Sequence, residues 1–134
     1  MTDFNWRIDW ENYLNNNHKK ADKLTLKEFV KKICAALDDY KKYSMEDLLS
    51  AKVPHCHSCN DLDKRENKEA KVLVRHLIKV NDKLAKDTRQ IELHNVLQLS
   101  LKGIDNLPYR CFGYVEGNLY HIVYFDPKHE IYKE

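Results

Sequence analysis

Glycine and proline are scarce in this chain, three of each in 134 residues. Proteins that cradle phosphates on backbone amides use repeated glycines where a strand meets a helix, so the shortage argues against that class of nucleotide-binding fold. Neither a GxSxG elbow nor an HExxH helix is present, nor paired carboxylates, which sets aside the hydrolases that those patterns mark. Long apolar runs are lacking too. Nowhere do uncharged apolar residues extend over the roughly 18 positions that a membrane-spanning helix needs. Residues 1–10 are polar and include Asp3, Arg7 and Asp9, unlike a signal peptide. The expectation is a cytoplasmic protein with no membrane partner. A strong charge bias is missing as well: a net charge of +2 permits a nucleic-acid partner without demanding one.

What the chain does have is 43% hydrophobic and 33% charged residues, enough for one core under a well-solvated surface. We expect a single α+β domain over residues 1–134, with a helical part at about 1–90 and an antiparallel sheet at about 95–134. Thr25 and Glu28 have the spacing of a capping box, and Leu26, Phe29, Ile33, Leu37 and Tyr40 continue as the apolar stripe of a helix. Ser44 repeats the cap before a short helix that must stop ahead of Pro54. Ala70, Leu73, Leu77 and Ile78 mark a second long helix over about 66–86. Phe4, Trp6, Trp10 and Tyr13 are spaced to suit either an amphipathic helix or an edge strand.

Period two takes over further on. Leu97, Leu99 and Leu101 alternate with Gln98 and Ser100, as in a strand with one buried face. Segments 109–115 and 119–125 are rich in aromatic and β-branched residues. Between them, Glu116-Gly117-Asn118 offers the turn chemistry of a hairpin. Ile131 and Tyr132 are expected to add a last short strand, and the helices to pack on one face of the sheet.

Two groups could carry chemistry. The first is the loop His55-Cys56-His57-Ser58-Cys59, rich in zinc-type ligands, where only Cys56 and Cys59 have the spacing of a ligand pair. The other pair would have to come from Cys34, Cys111 or a distant histidine, so the favoured reading is an unmetallated loop and a protein without cofactors. In the absence of export the cysteines are expected as free thiols. The second group is Arg110 and His121 on the hairpin, with Asp126, His129 and Tyr132 just beyond it. Arginine can hold a phosphate through its planar fork, and imidazole exchanges protons near neutrality. Metal-free phosphodiester cleavage needs these parts: a base, an acid and a cation. The same residues have structural uses: Arg110 could pair with Asp126, His121 could pack in the sheet, and Tyr132 could cap the core. Phe112, Tyr114, Tyr120 and Tyr124 could stack on unpaired bases, although about half must face the core.

The run RCFGYVEGNLYHIVYFDPKH at 110–129, closing with Tyr132, resembles the ending of small uncharacterised prokaryotic proteins associated with mobile elements. More loosely, it is similar to the sheet of bacterial toxin ribonucleases of the RelE-like and barnase-colicin group. That resemblance covers about the last 40 residues. It implies Arg110 as phosphate ligand, with His129 and Tyr132 in proton transfer. With their neighbours, the candidate catalytic set is Arg110, His129, Tyr132, Asp126 and His57, without a metal. The candidate substrate-binding set is His55, Gln98, Tyr114 and His121. The expected function is a metal-independent endoribonuclease of toxin or phage-defence type, acting on RNA and leaving room for an antidote protein. The mild charge and large helical part fit equally a non-enzymatic phage- or plasmid-encoded protein, an inhibitor or adaptor that binds another protein.

Overall fold

A computed structural model describes residues 4–14, 26–84, 95–102, 104, 108–126, 129, 131 and 132, with Leu26 and 81–84 described as backbone only. The fold is α+β: among the described residues a five-stranded, mostly antiparallel sheet takes its three longest strands from the C-terminal part and its two short edge strands from earlier in the chain, before and between the helices. Among the described residues no helix is long and apolar enough to cross a membrane.

The apolar stripe at three- and four-residue steps forms helix α1, Leu26–Asp38, and a single 3-10 turn at Asp39–Lys42 prolongs it. Thr25, the expected cap, lies outside the described residues. Ser44 does act as expected, its Oγ accepting from the Asp47 amide at 3.1 Å to open α2, Met45–Leu49. Helix α3, Lys68–Leu84, is capped by Asn67, whose Oδ1 accepts from the Ala70 amide at 2.8 Å.

The strands are β1 (Asn5–Ile8), β2 (His57–Ser58), β3 (Val96–Ser100), β4 (Arg110–Glu116) and β5 (Leu119–Asp126), in the spatial order β1-β5-β4-β3-β2. The expected hairpin is β4–β5, closed at Gly117 with a positive φ of 62°. Of the N-terminal aromatics Trp6 lies in an edge strand while Phe4, Trp10 and Tyr13 lie outside it, and β1 runs parallel to β5 with Arg7 beside His121. Ile131 and Tyr132 form a turn instead of a sixth strand, because the Ile131 amide donates to Asp126 Oδ2 at 3.0 Å and folds the chain back.

The sheet is covered on both faces, not one. Phe29, Ile33 and Leu37 of α1, with Tyr40, Met45 and Leu48, pack on Leu97, Leu99, Cys111, Tyr120 and Ile122. On the opposite face Ala70, Leu73, Leu77 and Val80 of α3 pack on Val96, Phe112, Tyr114 and Tyr124. Each fully buried leucine or phenylalanine side chain contributes about 1.5–3 kcal/mol relative to exposure. A bulge breaks the alternation of β5: Phe112 pairs with Tyr124 but Gly113 with Ile122, leaving Val123 as an extra residue. Val123 and Tyr124 therefore both join the α3 side, and Phe125 turns to the α1 side.

Candidate active site

The residues singled out in the sequence fall into three places. Arg110 and Asp126 face each other in register across the β4–β5 pair, and both are buried. Arg110 Nη1 donates to Ser100 Oγ at 3.2 Å and to the Tyr109 carbonyl at 3.1 Å, and burial lowers its pKa. Arg110 is thus held by hydrogen bonds within the sheet. His129 adopts a left-handed conformation with φ 54°, half-buried, its amide on the Asp126 carbonyl at 3.4 Å.

His57, Gln98 and Tyr132 do come together, at the β2 edge. The buried Gln98 amide donates from Nε2 to His57 Nε2 at 3.2 Å, and the exposed His55 contributes its carbonyl at 3.4 Å. His57 Nδ1 in turn donates to the Ser58 carbonyl at 2.9 Å, which leaves its Nε2 as an acceptor. The Tyr132 ring stacks on Phe112 and takes His57 edge-on, Arg65 lies over it at 4.7 Å, and its hydroxyl donates to Asp61 at 2.8 Å. Burial raises the Tyr132 phenol well above its usual range, so it is a poor proton donor near neutrality.

The zinc reading loses its geometry here. The pair Cys56 and Cys59 spans strand β2, and residues three apart in an extended chain point to opposite faces. Cys56 accordingly belongs to the α1 core, its thiol donating to the Tyr40 hydroxyl at 3.2 Å, and Cys59 to the α3 core. Burial pushes the Cys59 thiol up to about 12. All four cysteines are free, and among the described residues no group of three or more His, Cys, Asp or Glu is placed to hold a metal ion.

The third place is the β1 edge, where sheet register builds a row across three strands. Arg7 on β1 lies beside His121 on β5, which lies opposite Tyr114 on β4. The Tyr114 and His121 rings stack at 4.5 Å with planes 10° apart. Arg7 Nη1 is 2.8 Å from His121 Nδ1, and Glu116 Oε1 is 2.9 Å from His121 Nε2, a close polar approach that is not an aligned hydrogen bond. A guanidinium can only donate, so Nδ1 is the acceptor and the ring proton sits on Nε2, toward the carboxylate. Below this row Tyr114 donates its hydroxyl to Asp9 Oδ2 at 2.5 Å, and Asn12 Nδ2 donates to the same oxygen at 2.9 Å. The Asn12 carbonyl is bonded by His76 of α3.

Electrostatics at this edge are uneven. The Asp9 carboxyl is 3% exposed and burial raises its pKa, but the bonds from Tyr114 and Asn12 and the nearby Arg7 outweigh that and hold it below the usual carboxylate range. Burial lowers the pKa of His121 even against Glu116, so the imidazole is neutral at pH 7. Its neighbours reach solvent: the Arg7 side chain is 47% exposed and that of Glu116 60%. Trp10, at 67%, stands exposed one residue past Asp9. Sequence reading had singled out Tyr114 and His121 and missed Arg7, Asp9 and Glu116. The hairpin register would have placed Glu116 on the same face as Tyr114; Arg7 required knowing that β1 pairs with β5.

No family model matches this chain, and neither a curated protein nor a solved structure matches it.

Proposed function

We propose that this chain is a metal-independent endoribonuclease of the toxin or phage-defence kind, acting on RNA in the cytoplasm through Arg7, His121 and Glu116. The supporting observation is an imidazole held between a half-exposed guanidinium and an exposed carboxylate. RNA carries its own nucleophile, the ribose 2′-hydroxyl, so cleavage requires a base for that proton and a cation for the charge that develops on phosphorus. In this reading the scissile phosphate draws Arg7 off the imidazole and frees Nδ1. Nδ1 takes the 2′-hydroxyl proton as the 2′-oxygen bonds to phosphorus. The imidazolium, steadied by Glu116 on its other side, returns that proton to the departing 5′-oxygen as the P–O5′ bond breaks. The products are a 2′,3′-cyclic phosphate and a 5′-hydroxyl. A lowered imidazole pKa suits this work, because a base must be unprotonated at the working pH.

Incubation of the purified protein with single-stranded RNA, with and without chelator, tests the reading. The expected result is cyclic-phosphate ends formed equally in both. No cleavage, or equal cleavage by His121→Gln, overturns it. A stoichiometric protein partner together with inert RNA would favour the inhibitor or adaptor instead.

A further inference from the structure

Helix α3 carries on its outer side a row of cations that the fold does not use. Lys68, Lys71, Arg75 and Lys79 are all exposed and follow one another at steps of three, four and four residues. At 3.6 residues per turn they fall within about 80° of one another around the axis. The row runs about 16 Å along the helix at 1.5 Å rise per residue. It lies opposite the buried side formed by Ala70, Leu73, Leu77 and Val80.

An outer helix face is ordinarily charged, but with mixed signs and frequent ion pairs. Three lysines just past α1 and α2 behave that way: Lys41 pairs with Asp38, Lys42 with Asp39 and Lys52 with Asp47. None of the four cations on α3 has a carboxylate partner among the described residues. The one acidic residue in the first turn, Glu69, is half-buried and instead accepts from the Tyr124 hydroxyl at 3.5 Å. Against a net charge of only +2, this face lines up four exposed cations without a carboxylate partner among the described residues.

We infer that this row is a docking track for the phosphate backbone of single-stranded RNA, leading the strand to the β1 edge. The identity of the polyanion as RNA rests on the ribonuclease reading. A membrane surface is the poorer fit, because an interfacial helix needs a free apolar side and that of α3 is spent on the core, leaving, among the helix's described side chains, Ile78 at 38% as the exposed large apolar one. The track also has a connection to the site. His76, next to Arg75, bonds the Asn12 carbonyl, Asn12 bonds Asp9, and Asp9 lies 3.7 Å from Arg7. On this inference a strand following α3 past Arg75 continues toward Arg7, where a phosphate would be held.

The experiment separates binding from cleavage. A fluorescein-labelled RNA of about twenty nucleotides, 2′-O-methylated throughout so that it cannot be cut, is titrated with protein and read by anisotropy across a salt series. Three proteins are compared: wild type, the track variant Lys71→Gln/Arg75→Gln/Lys79→Gln, and the matched control Lys41→Gln/Lys42→Gln/Lys52→Gln, which removes the same charge elsewhere. With a single-strand slope of about 0.7 per phosphate contact, the track variant is expected to reduce the slope of log K against log salt by about 2. It is also expected to weaken binding at least tenfold, while the control stays near wild type. Equal losses in the two variants, no RNA binding by wild type, or polyglutamate competing as well as RNA would each overturn the inference. Cleavage of a dinucleotide, too short to reach the track, is measured alongside. A dinucleotide cut normally with unchanged 20-mer binding sinks the track alone; a track variant that loses binding while no RNA is ever cut sinks the ribonuclease alone.

Discussion

Gly113 lies against the backbone of His121 so closely that a Cβ built on it would meet the His121 carbonyl oxygen at 2.0 Å and the carbonyl carbon at 2.7 Å. No flexible side chain stands there to yield, so only glycine lets β4 approach β5 at the residue that carries the candidate imidazole. Gly113→Ala must push the two strands apart. We expect it to cost about 3 kcal/mol or more, the upper end for single substitutions, in urea denaturation. RNA cleavage should fall further than the unfolded fraction explains, because His121 itself is displaced.

Within the site, the losses should rank by role. His121→Gln keeps the polar volume but removes the base, and kcat/KM on a dinucleotide should drop about 10²–10⁴-fold. Arg7→Gln should lower it through weaker charge neutralisation. Glu116→Gln should cost less than either, since Arg7 still fixes the ring tautomer. A Glu116 variant more damaged than the His121 variant would reverse these assignments.

Acid should weaken the fold in two stages. Burial lowers His121 below its unfolded value of 6.5, so the unfolded chain binds the extra proton first as pH falls. The stability contributed by the neutral ring is present above pH 6.5 and is lost progressively below it. Asp9, held below 3.8, adds a second loss at pH values under 3.8. Thermal unfolding from pH 7.5 to 5 should therefore show a falling Tm that His121→Gln flattens. The acid limb of kcat/KM should lie below pH 6.5 for the same reason.

Arg110 offers a contrast. Its bonds to Ser100 Oγ and the Tyr109 carbonyl predict that Arg110→Met costs stability, by about 1–3 kcal/mol, from the polar groups left unmet. Cleavage per folded molecule should not change. Lost cleavage at unchanged stability would return Arg110 to the chemistry.

The helices and the hairpin were legible because their signals are local. Ser44 caps α2 within one turn, the apolar residues of α1 and α3 repeat over three or more turns, and Gly117 marks the hairpin loop. The two shortest strands were not. β2 has two residues and β1 four, too few for a period to show, and the parallel pairing of β1 with β5 joins opposite ends of the chain. The extra residue at Val123 also shifts the facing of β5 midway, so strict alternation misplaces everything after it. For the site, Tyr114 and His121 could be found because both sit on the hairpin. Arg110 and Asp126 looked equally suitable, and their burial across the β4–β5 pair is a tertiary property that no local pattern carries.

Arg7 and His121 are separated by 114 positions in the chain. One belongs to the earliest of the described strands and the other to the latest, so a polypeptide that has not yet been made past β5 lacks the pair, however well its helices have formed. Contacts this distant in sequence close late, after the entropy of a long loop has been overcome. Any activity that depends on the pair therefore switches on late in folding, and fragments ending before the hairpin lack the pair.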